Sequence, residues 1–70
     1  MITGSQLREI RELRGLSLRA VAKFCSLSPQ LIGQIETGQK YFTENNYRQI
    51  IDAINLATVA KANGEIKSNK

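Results

Sequence analysis

The sequence contains no histidine, no tryptophan and only one cysteine, Cys25. A single cysteine excludes a disulfide within the chain, and the lack of histidine removes the most common general base and metal ligand. Zinc sites and Ser-His or Cys-His nucleophiles are therefore excluded. The sequence also has no glycine-rich phosphate-binding motif and no paired-carboxylate constellation. We expect no enzyme activity, no metal, no cofactor and no small-molecule ligand.

Long apolar runs are also missing, and no basic segment leads into an apolar one at the N-terminus. These absences argue against a membrane span or a secretory signal, and we expect a cytoplasmic protein. The 70 residues are enough for one small domain with a modest core. Ten Lys and Arg residues against six Asp and Glu residues give a net charge of +4. This excess suits a polyanionic partner but does not identify one.

Hydroxyl residues mark four helix starts. Each follows a large apolar residue and precedes another by four positions, which is the pattern of an N-cap inside a hydrophobic staple. The N-caps are Thr3, Ser17, Ser28 and Thr43, and the staples are Ile2 with Leu7, Leu16 with Val21, Leu27 with Ile32, and Phe42 with Tyr47. We predict an all-α fold with helices over residues 4–14, 18–25, 29–37 and 44–62. A break near Asn55 is the alternative for the last helix.

The connection between the second and third predicted helices comprises only residues 26–28. Two helices joined this tightly cross steeply, as they do in a helix-turn-helix. Inward positions suited to such a unit are occupied by Val21, Ala22, Cys25, Leu27, Ile32 and Ile35. The run LREIRELRGLSLRAVAKFCSLSPQLIGQIETGQK resembles the helix-turn-helix of the phage Cro and CI repressors, the XRE family. The matching patterns are L-R-x-I-R-x-L-R-G-L-S, V-A and I-x-x-I-E-x-G, and the resemblance extends from Leu7 to about Ile54.

This resemblance implies a compact lambda-repressor-like bundle of four to five helices. We predict a DNA-binding domain over residues 1–63 and a flexible C-terminal tail over residues 64–70. In the family, the residues that match Arg11 and Glu36 form a partly buried ion pair between the first and third helices, and the resemblance implies the same pair here. Solvated surface charges are the alternative for an arbitrary Arg or Glu. We favour the pair because Ile10 and Ile35, beside them, are core positions.

The exposed side of the third helix is the expected base-reading surface. A glutamine amide donates and accepts at once, so it can pair with adenine in the major groove. The expected base contacts are Pro29, Gln30, Leu31, Gly33 and Gln34. Expected phosphate contacts, from the start of the second helix and the loop after the third, are Ser17, Arg19, Thr37, Gln39 and Lys40. The alternative for these positions is an ordinary surface of small and polar residues.

The sequence departs from the family pattern at several positions. Leu18 replaces a polar residue that holds a phosphate in relatives. Ser26 replaces a turn glycine, so we expect slight strain from a left-handed backbone there. Phe24 replaces a polar residue, and the third helix contains no Lys or Arg. Phe24 and Tyr41 are expected to be partly covered surface aromatics, with a patch for a protein partner as the alternative.

One domain of this size makes few base contacts, so we expect a homodimer on a palindromic operator with half-sites roughly 34 Å apart. Candidates for the dimer interface are Leu56, Val59 and Ala60, and packing on their own core is an equal alternative. The expected function is a small transcriptional regulator, a repressor of phage or mobile-element type, that binds double-stranded DNA. The alternative is a protein-interaction module on the same fold, such as an antitoxin or an inhibitor of a partner protein. Phe24 and the poorly charged third helix favour it.

Overall fold

The computed structural model describes residues 3–41 and 43–64, and these ranges contain four α-helices and no strand. The helices are α1 (Gly4–Leu13), α2 (Leu18–Ala22), α3 (Pro29–Glu36) and α4 (Glu44–Ala62). The predicted all-α fold is confirmed. The last helix is continuous, without the alternative break near Asn55. Within the described ranges, every helix is too short or too polar to traverse a bilayer.

Each helix begins at the hydroxyl residue that the sequence predicts as its cap. Thr3 Oγ1 accepts a hydrogen bond from the Gln6 N–H, while Gln6 Oε1 accepts one from the Thr3 N–H, which completes a capping box. Ser17, Ser28 and Thr43 each accept from the N–H three residues ahead. These bonds satisfy donors that a helix start leaves unpaired. The staple residues Ile2 and Phe42, and the predicted tail beyond residue 64, lie outside the described residues.

The end of α2 differs from the prediction, because the helix stops at Ala22 rather than at residue 25. The Phe24 N–H donates to the Val21 carbonyl and the Cys25 N–H to the Ala22 carbonyl, a tighter spacing than in an α-helix. This tightening turns the chain toward α3 without a glycine. The strain predicted at Ser26 is also wrong, since no residue other than glycine has a positive φ in the described ranges.

The core lies where the four helices meet. Its largest fully buried side chains come from every helix and are Leu7, Val21, Ile32, Ile35, Ile50 and Ile54. Burial of one such side chain stabilises the fold by about 1.5–3 kcal/mol. α3 packs mainly on α1 and α2, whereas α4 packs mainly on α2. One side of α3 is therefore held in the core, and the other side remains available.

The start of α1 lies against the end of α3. A Cβ atom added at Gly4 would overlap the Ile35 carbonyl oxygen and would lie 3.2 Å from the Glu36 Cα. Only a residue without a side chain permits this approach of the two backbones. Arg11 lies about two turns further along α1. The close approach at Gly4 thus helps to fix how α1 and α3 are placed relative to each other.

Polar contacts connect the end of α1 to α4. The Lys61 Nζ donates to the carbonyl oxygens of Arg14 at 3.2 Å and of Gly15 at 3.0 Å. The Arg14 guanidinium donates to Thr58 Oγ1 at 2.9 Å and to Asn55 Oδ1 at 3.3 Å. A cation near the C-terminal end of a helix also interacts favourably with the helix dipole. α4 therefore holds α1 through hydrogen bonds.

Candidate nucleic-acid interface

A buried ion pair connects α1 to the last residue of α3. Arg11 Nε donates to Glu36 Oε2 at 2.8 Å, and Nη2 donates to Oε1 at 2.9 Å. The remaining terminal nitrogen, Nη1, donates to the Leu16 carbonyl at 2.8 Å. Arg11 is 8% exposed and Glu36 is 5% exposed. The guanidinium therefore ties α3 both to α1 and to the segment that leads into α2.

The electrostatics of this pair keep Arg11 charged. Hydrogen bonding to the Glu36 carboxylate raises the pKa of Arg11, while burial opposes the rise, and the negative charges of Glu36 and Glu12 add to it. Two parallel N–H to O bonds also fix the geometry more strictly than one charge contact would. The negative charge on α3 is therefore neutralised inside the protein rather than presented on its surface.

Gln30 and Gln34 lie one turn apart on the outer side of α3. Gln30 is exposed and Gln34 is half-buried. In the part of the chain that the structure describes, neither side-chain amide takes part in a hydrogen bond. Both amides therefore have donors and acceptors available to a partner. Leu31, beside them, is half-buried and packs partly against the core.

Gly33 lies where α3 passes close to α2. A Cβ added there would be 3.3 Å from the Leu18 Cδ1 atom, which is tighter than usual packing. Leu18 itself packs partly against the core. The pair Leu18 and Gly33 thus has a packing role that the sequence pattern did not reveal. That role accounts for an apolar residue at the start of α2.

The loop after α3 folds back onto the end of the helix. The Thr37 hydroxyl donates to the Gly33 carbonyl at 3.1 Å and contacts the Gln34 carbonyl at 3.3 Å. The backbone N–H groups of Gln39 and Lys40 also donate to the Gln34 carbonyl, at 2.8 and 3.2 Å. The side chains of residues 37, 39 and 40 lie in an exposed segment beside α3. At the other expected phosphate position, the Ser17 hydroxyl accepts from the Ala20 N–H and caps α2.

Most basic side chains in the described ranges already have partners. Arg8 pairs with Glu12, and Arg48 pairs with Glu44, each at one helical turn. Arg11, Arg14 and Lys61 make the contacts already described. The exposed cations without an ion pair or hydrogen bond in residues 3–41 and 43–64 are Arg19, Lys23 and Lys40. Arg19 and Lys23 are one turn apart on or just after α2, and Lys40 follows α3, so these charges flank the helix-turn-helix.

The two surface aromatics differ in their surroundings. Phe24 is half-buried and packs against the hydrophobic core, so the structure explains it without a partner. Tyr41 is 89% exposed in the loop between α3 and α4, so the expectation that it is partly covered is wrong. Phe24 therefore no longer favours an interaction patch.

The three residues predicted for a dimer interface do not share one environment. Leu56 is 53% exposed and Val59 is 59% exposed, both on the outer side of α4. Ala60 is only 5% exposed and lies in the core of its own chain. A helix of 3.6 residues per turn places neighbouring positions on different faces, so Ala60 turns inward where Val59 turns outward. Only Leu56 and Val59 remain available to a partner.

These elements define a helix-turn-helix, in which α2, residues 23–28 and α3 form the unit and α3 has a free outer side. A model of the helix-turn-helix domain family matches residues 3–62. The chain belongs to this family of DNA-binding domains. No curated protein and no solved structure matches the chain. Within the described ranges, no group of His, Cys, Asp and Glu residues could hold a metal ion.

Breaking the buried pair should destabilise the fold strongly. We expect Arg11→Met or Glu36→Leu to lower the free energy of unfolding by about 3–5 kcal/mol, because each leaves the other charge buried alone. The double variant should lose less than the sum, since both charges are removed. Arg8→Ala is the control, because it breaks an exposed pair worth about 1 kcal/mol or less. Urea denaturation measures these free energies of unfolding. If the single variants at Arg11 and Glu36 lost no more stability than Arg8→Ala, the result would contradict a stabilising role for the buried pair.

The pH dependence of this contribution follows from the raised pKa of Arg11. A group whose pKa is raised on folding stabilises the fold below its unfolded pKa and loses that effect as pH rises through the folded value. For arginine both values are strongly alkaline. The difference in unfolding free energy between wild type and the double variant Arg11→Met with Glu36→Leu, which leaves neither charge buried alone, should therefore be equal at about pH 7 and about pH 10. A difference that shrinks over this range would refute the expectation.

Proposed function

We propose that this protein is a sequence-specific, double-stranded-DNA-binding transcriptional regulator, a repressor that acts by occupying an operator. The observation that carries the proposal is the outer side of α3, where Gln30 and Gln34 present amides without partners in the described chain. The Arg11–Glu36 pair and the core hold this helix from the opposite side. Rigid support of this kind is what base recognition requires.

Recognition of bases rests on the chemistry of the amide. A glutamine can donate to adenine N7 and accept from adenine N6 at once, and such a bidentate contact discriminates against a wrong base by about 1–3 kcal/mol. Leu31 offers an apolar surface to a thymine methyl group. In our proposal Pro29 contacts a base at the first position of α3, and Gly33 contributes only its backbone, because a side chain there would point at Leu18 of α2. These contacts carry the specificity in our proposal.

Affinity comes from the charges around α3 rather than from α3 itself. Arg19 and Lys40 have no carboxylate partner in the described chain and lie at either end of the helix-turn-helix. We assign the charged phosphate contacts to them. The Ser17 hydroxyl and the Gln39 side-chain amide supplement them as neutral donors, whereas the Thr37 hydroxyl must first exchange its bond to the Gly33 carbonyl for one to a phosphate. Because Glu36 is paired inside the protein, it does not repel the DNA backbone. α3, whose exposed side is nearly neutral, thus lies between the cations Arg19 and Lys40, which is consistent with specific binding.

The active form in this proposal is a homodimer on a palindromic operator, of the type known for the Cro and CI repressors that the sequence resembles. Leu56 and Val59 lie three residues apart on the outer side of α4, where a second copy can cover both. A two-fold axis makes the same patch serve both protomers. It would also place two copies of α3 in successive major grooves on one side of the duplex.

Removal of both amides should abolish sequence discrimination. Duplexes are first selected from a random pool with the wild-type protein, and the dissociation constants for a selected and a scrambled duplex are then compared. For Gln30→Ala with Gln34→Ala, we expect the preference for the selected duplex to fall at least about tenfold. Asn45→Ala, which removes an exposed amide from α4, is the control and should keep the preference.

Two other results would contradict base reading by α3. The first is a wild-type protein that selects no duplex, and the second is a double variant that discriminates as well as wild type. Biological activity that survives in the double variant would favour the protein-interaction module instead.

The flanking cations should determine the salt dependence of DNA binding. Removal of one phosphate-binding cation lowers the slope of log affinity against log salt by about 0.9. We expect Arg19→Ala and Lys40→Ala each to cause this decrease on selected and scrambled duplexes alike. Arg48→Ala is the matched control, since its guanidinium pairs with Glu44 at 3.7 Å on α4, and its slope should equal that of wild type. Equal slopes for all of these proteins would contradict the phosphate assignment.

Charge placed on the apolar face of α4 should prevent dimer formation. We expect Leu56→Glu with Val59→Glu to be folded but monomeric, because two-fold packing would bring the carboxylates of both copies together. Sedimentation equilibrium measures the effect. Leu13→Glu is the control, since Leu13 is 83% exposed on α1 and should leave the dimer intact. A wild-type protein that occupies the two half-sites as separate monomers, without contact between the copies, would contradict this interface.

A further inference from the structure

The turn that leads into α3 is held by a side chain from α4. No backbone N–H of residues 26–28 donates to a backbone carbonyl in the described chain. Instead, Gln49 Oε1 accepts a hydrogen bond from the Ser26 hydroxyl at 2.7 Å and contacts the Ser26 N–H at 3.3 Å. Gln49 is half-buried and Ser26 is exposed, so the two bonds lie at the protein surface. An amide oxygen has two lone pairs, and these two donors can use both.

This contact connects α4 to the turn that precedes α3. The main packing of α3 is on α1 and α2, and that of α4 is on α2. The Arg11–Glu36 pair fixes only the C-terminal end of α3. Ser26 lies two residues before the N-cap Ser28, so its position governs where the first turn of α3 begins. Gln49 therefore holds the end of α3 that the ion pair does not.

We propose that Gln49 is a positioning residue, which sets the orientation of α3 for base reading by holding the turn against α4. This inference rests on the proposed DNA-binding function and adds a residue outside the helix-turn-helix itself. α4 also carries the exposed Leu56 and Val59. α4 thus supports α3 of its own chain. In the proposed dimer, α4 also contacts the second copy and so sets the distance between the two α3 helices.

The test compares three variants on a selected and a scrambled duplex. Gln49→Ala removes the acceptor, Gln49→Glu keeps an acceptor oxygen, and Asn45→Ala removes an amide one turn away on α4. For Gln49→Ala, we expect the ratio of specific to non-specific affinity to fall about threefold to tenfold, because up to two hydrogen bonds are removed. Gln49→Glu should restore most of the ratio, and Asn45→Ala should leave it unchanged. The ratio is used because the added charge of Gln49→Glu weakens binding to both duplexes alike.

A second measurement separates positioning from a general loss of stability. Each variant is assayed where urea denaturation shows that it is fully folded. In the free protein, amide hydrogen exchange at Ser26 and in the first turn of α3 should accelerate in Gln49→Ala but not in Asn45→Ala. The exchange of core amides at Ile32 and Ile50 should change only as far as global stability does.

The outcomes distinguish the two proposals. A wild-type protein that shows no preference for any duplex overturns the proposed function and this inference with it. A wild-type protein that discriminates, together with a fully folded Gln49→Ala variant that discriminates equally well, overturns the inference alone. Loss of discrimination in both Gln49→Ala and Gln49→Glu would also overturn it, because the acceptor oxygen would then not be the cause.

Discussion

The bidentate pair between Arg11 and Glu36 is the interaction on which the placement of α3 depends. Burial of two charges is costly, and here the cost is offset by three short hydrogen bonds from a single guanidinium. One of them goes to the Leu16 carbonyl, so the pair also reaches the entrance to α2. The close backbone approach at Gly4 acts at the same end of α3. α3 is consequently held by directional contacts and not by apolar packing alone.

In the proposed complex, α3 reads bases and residues around it bind phosphates, two tasks that many DNA-binding helices combine. Charge is kept off the exposed side of α3, since its acidic residue is paired internally and it has no basic one. The cations without partners among the described residues lie around the helix instead, at Arg19, Lys23 and Lys40. In the proposed complex, contacts to bases and contacts to phosphates could thus be altered one at a time.

The sequence predicts those features of the fold that depend on residues close together in the chain. Features that depend on tertiary contacts are not predictable in this way. Hydroxyl caps mark all four helix starts because a cap and its N–H partner are only three residues apart. The end of α2 at Ala22 cannot be predicted from the sequence, because no glycine marks it and the path of the chain toward α3 determines it. The Gln49–Ser26 bonds span 23 residues, and no periodicity signals them. The sequence also predicts DNA contacts for four residues, namely Gln30, Gln34, Arg19 and Lys40. These contacts stay predictions, because they involve DNA that is not part of the structure.

The helix starts at Thr3, Ser17, Ser28 and Thr43 are all capped by neutral hydroxyl groups. Capping bonds of this kind involve no ionised side chain, so dissolved electrolyte screens them far less than it screens attraction to a polyanion. A rise in ionic strength would then release the protein from nucleic acid while its helices stay intact. Ionic strength would thus control binding to nucleic acid without controlling the folding of the helices.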